Sequence, residues 1–320
     1  EDFPHLLQLQ SRLTDSVSRS YPAFQLEGDE FHAECMAYDP ERQTFYFGGV
    51  HEAGVGLFDS KTKKSSSWIG IQELDHLYSV LGMAVDGRKK SLWIVSAALP
   101  QFEGYKKKLK GHSSVYEIDL QTKSILTHIH LEGSSRLSEL TFYGGTAYVA
   151  DGLNNRIYRL KSGDTQLHLL ADLQGQARNL QGMAVTPDGR SMFVSDYVSG
   201  IFKVELTDGS FERLRLADHI PFKGIDGLFF YDHSLIATQN GSRPMRVMRL
   251  FLNSRQDQAV EWSIIDQNSS YLNEPTQGVL LNDTFYYIAN SPWPAYDDNG
   301  KLRSDRLAPV QIRKFRLSHE

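Results

Sequence analysis

Short apolar runs broken by turn residues recur from one end of the chain to the other. Within residues 179–206, Met183 to Val185 lead into Pro187-Asp188-Gly189, and a second run spans Met192 to Ser195. A break follows at Val198-Ser199-Gly200, and then an alternating run from Ile201 to Leu206. Runs this short, punctuated by Pro, Asp and Gly, are strand and hairpin signals. The same phrase begins again at Ala33, Val80, Leu137, Ile225 and Thr276, so the chain carries it six times. In each copy a pivot pair precedes the first apolar run. The second residues of these pairs are Cys35, Gly82, Glu139, Gly182, Gly227 and Gly278, spaced by 47, 57, 43, 45 and 51 residues. A period of about 40–50 residues with several strands per repeat predicts a β-propeller.

A third strand follows each hairpin ("GVGLFD", "SVYEIDL", "NRIYRL", "GIFKVEL", "RVMRLFL" and "VQIRKFRL"). A fourth follows in five repeats ("SSSWIGI", "SILTHIHL", "TQLHLLADL", "SFERLRL" and "VEWSIID"). The sixth repeat lacks its fourth strand, while Pro22 to Gly28 has no repeat of its own. Pairing that orphan strand with the segment near Gln311 to Leu317 would remove two open edges at once. The expected architecture is an all-β, six-bladed propeller over residues 22–320, closed by an N-terminal strand in its last blade. A helical extension precedes it over residues 1–21, with apolar residues at 6, 7, 9, 13 and 17 placing the helix at 5–17.

Composition narrows the function classes. The 320 residues are 40% hydrophobic and 23% charged, as in ordinary soluble globular domains. A net charge of −5 offers no basic field for nucleic acid, and Lys106-Lys107-Lys108 with Lys110 reads as a solvated loop. No apolar stretch approaches the roughly 18 residues of a membrane span. Cys35 is the only cysteine, so no intrachain disulfide can form. The chain opens at Glu1 without Met, which tilts the expectation toward a secreted or periplasmic protein. Oligomeric state is left open.

The candidate chemistry sits at the pivots. The residues immediately before the innermost strands face one mouth of the central channel, and they are Glu34, Leu81, Ser138, Gln181, Asp226 and Gln277. Oxygen-bearing side chains from different blades suit a hard cation, Ca²⁺ above all, which takes carboxylate and amide oxygens. A wet, polar channel lining with no ligand is the plainer alternative. A second set lies at the ends of the returning strands: His51, Asp151, Asp196 with Tyr197, Asn240, and Asn290 with Trp293. Glu274 stands just upstream of the sixth pivot. Asp151, Asp196 and Asn240 also have the chemistry of turn-formers, and His32 or His51 could partner Glu34 in acid–base work.

With these pivots the chain resembles the six-bladed propellers of the SMP-30/gluconolactonase group, distantly similar to paraoxonases and strictosidine synthase-like proteins. The resemblance implies one divalent metal held by a Glu opening the first blade, an Asn of an Asn-Gly pair and an Asp of an Asp-Gly pair. An Arg-x-Asn-Asp stretch in the third blade would touch substrate. Glu34, Asp226-Gly227 and Arg136 match; Gln181-Gly182 stands in place of Asn-Gly, and Ser138-Glu139 in place of Asn-Asp. The implied metal ligands are Glu34, Gln181 and Asp226. Asp226 or Glu139 would accept a proton, and Arg136, Ser138, Asn240 and Asn290 would contact a small-molecule substrate. Two readings follow: a metal-dependent hydrolase of a lactone or related ester, or a non-catalytic propeller that binds a small ligand or a protein partner at the same mouth. Neither a Gly-x-Ser-x-Gly elbow nor an HExxH motif is present to suggest a serine or zinc hydrolase.

Overall fold

A computed structural model describes residues 14–26, 31–218 and 220–319. Among them, 26 strands form six sheets that follow the repeat, antiparallel throughout but for one two-residue parallel pairing. The innermost strands are Ala33–Asp39, Ser79–Asp86, Leu137–Tyr143, Leu180–Val185, Ile225–Tyr231 and Gly278–Leu281. Each is followed by strands that pair outward in chain order. No helix among the described residues is long and apolar enough to cross a membrane.

The strands read as apolar runs because both faces of every blade are covered by a neighbouring blade. The core is therefore divided into layers between blades. Tyr46 and Trp68 of the first blade meet Ile94 and Tyr116 of the second. Trp93 and Val115 meet Leu140 and Val149 of the third, and Ile157 meets Met192 and Val194 of the fourth. Phe193 meets Leu228 and Leu235 of the fifth, Ile236 and Val247 meet Phe285 and Phe315 of the sixth, and Ile288 and Ile312 return to Phe45 and Phe47 of the first.

The sixth blade takes its outer strand from the N-terminal segment: Tyr21–Gln25 pairs antiparallel with Gln311–Arg316, placing Tyr21 opposite Lys314 and Phe24 opposite Ile312. Phe24 also stacks on Phe58 of the first blade at 3.8 Å between ring centroids. The helix expected over residues 5–17 lies outside the described residues as far as 13. At its expected end Val17–Ser18 form a two-residue strand on the outer edge of the fifth blade, opposite Gln267 and Asp266. One segment thus straps two blades. A buried network fixes the seam: Asp266 Oδ1 accepts from Arg19 N at 2.9 Å, Ser20 N at 3.2 Å and the Tyr271 hydroxyl at 2.9 Å. Tyr287 donates to the other Asp266 oxygen, and Arg313 Nε donates to Ser20 Oγ at 2.7 Å.

One expected strand divides. "SFERLRL" pairs with the fourth blade only over Phe211–Arg213, whereas Arg215–Leu216 run parallel to Gln258–Ala259 of the fifth. The chain changes sheets at Leu214, whose N–H still donates to Ile201 O of the fourth blade at 2.8 Å.

Deleting residues 1–28 opens the seam and exposes two sheet edges. Thermal unfolding followed by circular dichroism should lose its single cooperative transition. An unchanged melting profile would show that the strap contributes nothing to closure.

Candidate functional site

The pivots mark a local irregularity shared by the first five innermost strands. Register with the second strand slips between Ala33 and Cys35, Val80 and Gly82, Leu137 and Glu139, Leu180 and Met183, and Ile225 and Leu228. The residues freed by these bulges include Glu34, Leu81, Ser138, Gln181 and Asp226. A bulge lifts its extra residue out of the ladder and re-aims the side chain. Here all five line one cavity of about 390 Å³ at the channel mouth, together with Arg136, Tyr197, Asn240, Glu274 and Trp293. The pivot glycines follow from the same crowding. A Cβ on Gly182 would lie 2.4 Å from Leu228 N, and one on Gly82 would lie 2.6 Å from Leu140 N, so the adjacent blade's backbone excludes any side chain there.

Glu34 and Asp226 anchor the mouth. Trp293 Nε1 donates to Glu34 Oε2 at 2.7 Å, and Ser291 Oγ lies 3.2 Å from the same oxygen. Asn240 Nδ2 donates to Asp226 Oδ2 at 2.7 Å, while Tyr197 donates to Asn240 Oδ1 at 2.8 Å and fixes the amide's orientation. Glu34 Oε1 and Asp226 Oδ1 have no hydrogen-bond partner among the described residues. Burial, then the charge of Asp226, holds Glu34 well above the usual carboxylate range, with Trp293 and Ser291 opposing. Burial likewise raises Asp226; the Asn240 hydrogen bond opposes this and Glu274 adds to it. Neither forms an ion pair among the described residues. Arg136 Nη2 instead donates to Gly152 O and Asn179 Oδ1, and Arg243 lies 3.7 Å from Glu274.

The other expected residues separate into distinct roles. Glu139 and Gln277 belong to a deeper chamber of about 420 Å³ lined by Met36, Met83, Met183 and Phe229, on the far side of the pivots from the mouth. Burial pushes the Glu139 carboxyl up to about 8, against hydrogen bonds from Leu140 N and Gln277 and aided by the Asp226 charge. Its Oε2 is buried without a partner at hydrogen-bonding geometry. Asp151 and Asp196 hold backbone: Asp151 Oδ1 accepts from Leu153 N and Asn154 N of its turn, while Asp196 Oδ2 accepts from Ser199 N of its turn and Oδ1 from Arg178 N and Asn179 N before the innermost strand. Asn290 lies away from the cavity lining, with Nδ2 donating to Pro309 O and Oδ1 accepting from Gln311 N. His32 supports the wall beside Glu34, with Nδ1 2.8 Å from the Tyr296 hydroxyl and Nε2 3.2 Å from Ser291 Oγ. Burial, then the neighbouring His51, lowers its pKa to about 3, which keeps the ring neutral.

The sequence reading missed the roof. Leu99, Pro100 and Gln101 overhang the mouth from the long connection between the second and third strands of the second blade. The His51 ring donates from Nδ1 to Gln101 O at 2.8 Å, and Glu103 N donates to His51 O at 3.0 Å, so the first blade holds this loop in place. The signal available was the 57-residue spacing between the second and third pivots, the longest of the five.

Comparison of the fold finds similar solved structures. A calcium-binding protein, regucalcin, from Agrobacterium tumefaciens superposes with a TM-score of 0.62 at 13% identity, over 91% of this chain and 93% of that one. A gluconolactonase from Xanthomonas campestris gives 0.60 at 13%, over 96% and 91%. A PQQ-bound aldose sugar dehydrogenase from Streptomyces coelicolor gives 0.62 at 10%, over 95% and 97%. These likenesses establish the shared propeller fold, including gluconolactonase-type members. No family model matches the chain, and no curated protein matches it in sequence.

Glu139 gives the deep chamber a pH signature. Folded Glu139 retains a proton between its ordinary value of 4.5 and about 8, while the unfolded chain releases it, so this group makes stability fall as pH rises through that window. Glu139→Gln removes the titration. The variant should gain on the wild type by at most roughly 1.4 kcal/mol per pH unit across it. Denaturant unfolding at pH 5 and pH 8, with chelator present, checks this; an equal difference at both pH values would refute it.

Proposed function

We propose that the mouth binds a divalent cation, Ca²⁺ by the nature of its donors, and hydrolyses a lactone or related ester of a small polar molecule. One observation carries this reading: two buried carboxylates, Glu34 and Asp226, stand on bulges of the first and fifth innermost strands, each with a free oxygen and neither offset by a cationic side chain. The Asp226 charge helps raise Glu34, and like charges brought together are poor neighbours unless a cation lies between them. The donor set is all oxygen, which favours a hard cation. Glu34 and Asp226 would hold it, with Gln181 contributing its amide oxygen from a stem one methylene longer than Asn.

When bound, such an ion supplies Lewis acidity toward a carbonyl and lowers the pKa of an attached water. The chain's own residues do the rest. Trp293 and Ser291 orient Glu34, while Tyr197 acts through Asn240 to orient Asp226. Asp226, facing the mouth, is placed to take up a proton during attack on the ester carbonyl and return it to the leaving oxygen. Glu139, beyond the pivots, holds its own proton through neutral pH and so leaves this role to Asp226. Arg136 and Ser138 orient polar groups of the substrate, and Leu81, Leu99 and Pro100 supply an apolar rim that limits water.

Ca²⁺ should raise the melting temperature, by about 2.7 kcal/mol of added stability when the free ion is about a hundredfold above Kd, and chelator should reverse the rise. Glu34→Ala and Asp226→Ala should each abolish it. Asp188→Ala should not, because Asp188 only closes the turn between the two innermost strands of the fourth blade, at the opposite end of the strand from Gln181. The same variants should lose turnover in a panel of lactones and esters. If calcium, magnesium and manganese all leave the melting curve unmoved, and any shift by zinc survives in Glu34→Ala and Asp226→Ala, the mouth is a ligand-binding surface without metal chemistry.

A further inference from the structure

A second concentration of ligand chemistry lies outside the channel, on the outer part of the second blade. The strand Ile125–Leu131 places Thr127 and Ile129 toward the core, so alternation turns His128 and His130 to the opposite face. His130 lies opposite Ser114 on the neighbouring strand and His128 opposite Tyr116. The Tyr116 and His128 rings stack at 4.3 Å, and the His76 ring stacks on His130 at 4.0 Å. His112, the residue before strand Ser113–Asp119, brings its ring to 5.4 Å from that of His130. One ligand atom each from His112, His130 and Glu132 lie within 4.8 Å of one another.

Hydrogen bonding fixes the protonation of the central ring. Ser114 Oγ has a single proton, and it donates that proton to His76 O at 2.8 Å. It therefore accepts from His130 Nδ1, 3.1 Å away. His130 in its neutral form thus carries its proton on Nδ1 and presents a lone pair at Nε2. That Nε2 is buried with no hydrogen-bond partner, and so is His112 Nδ1. Glu132 Oε1 lies 3.6 Å from His130 Nε2, so a lone pair faces a carboxylate. Something positive belongs between them. A proton on Nε2 would satisfy one orphan nitrogen at most; a metal ion would satisfy both imidazoles and the carboxylate together. A ligating imidazole whose other N–H is held by a hydrogen bond is the usual arrangement at such centres.

We infer that His112, His130 and Glu132 form a binding site for a first-row divalent cation of the zinc type, separate from the channel mouth. Imidazole nitrogens with one carboxylate select Zn²⁺ or its chemical neighbours over Ca²⁺. Bonds of about 2.0–2.1 Å to tetrahedral zinc require donors roughly 3.3 Å apart. The three donors stand within 4.8 Å of one another, so they draw together on binding, and Glu132, with 74% of its side chain exposed, has the freedom to follow the imidazoles. A water would complete four-coordination.

The test uses the full chain stripped of metal, with Co²⁺ absorption reporting the site and Zn²⁺ affinity obtained by displacement. One equivalent of Co²⁺ should produce the visible bands of a four-coordinate nitrogen–oxygen site. Glu132→Gln should weaken Zn²⁺ at least about tenfold, and His130→Gln or His112→Gln about a hundredfold or more; these sizes extend to direct ligands the cost known for supporting residues. Because Glu132 is exposed, its substitution tests the site even if a histidine variant folds poorly. The double variant Glu34→Gln/Asp226→Asn should keep the Co²⁺ bands. No Co²⁺ binding by the wild type would overturn the inference, as would Zn²⁺ affinity unchanged in Glu132→Gln. So would bands that disappear in the channel double variant yet persist in both histidine variants.

Discussion

Six innermost strands share one axis only by bringing their backbones almost into contact, and the rest of this molecule answers to that crowding. Where a blade meets the next at the level of Gly82 and Gly182, no side chain fits between the two main chains. The strand relieves the pressure by slipping register, and the slip frees the residue before the glycine from its ladder. Packing geometry and site geometry are thus one event. The bulges that allow closure around the axis are the ones that present Glu34, Ser138, Gln181 and Asp226 to the mouth.

The same crowding sets the electrostatics. Carboxylates from separate blades converge where water is scarce, and their pKa values rise because burial penalises charge before any neighbour is counted. Local partners then differentiate them. Glu34 and Asp226 are each held through one oxygen and keep the other open, whereas Glu139 belongs to the chamber beyond the pivots. The pivots divide the channel into a polar mouth and a methionine-lined interior.

Much of this was legible in the sequence because burial on both faces of a blade writes an unmistakable period. Five of the six pivots, Leu81 excepted, stood out as polar residues directly before apolar runs, and five of the six, Gln277 excepted, line the mouth. Gln277 does not: the sixth innermost strand begins without a register slip, and nothing in its residues announces that. Roles within the returning-strand set were not legible. Asp196 and Tyr197 are adjacent, yet one clamps a turn and the other faces the cavity, a difference set by loop direction. The split of "SFERLRL" between two sheets was hidden too, since pairing with a different neighbour leaves alternation unchanged. The imidazole cluster was invisible as a group, because His112 and His130 meet through strand pairing and not through spacing along the chain.

The loop from Ala98 to His112 has a geometry whose consequence is kinetic. Its base is closed by the hydrogen bond from Ala98 N to His112 O, and its crest is tethered to His51 of another blade. It is a bridge pinned at both ends, with Pro100 and Gln101 spanning the entrance. A molecule leaves the mouth by passing beneath that span or by bending it. The stiffness of a connection between the second and third strands of one blade, far in sequence from Glu34 and Asp226, would therefore set how long an occupant stays.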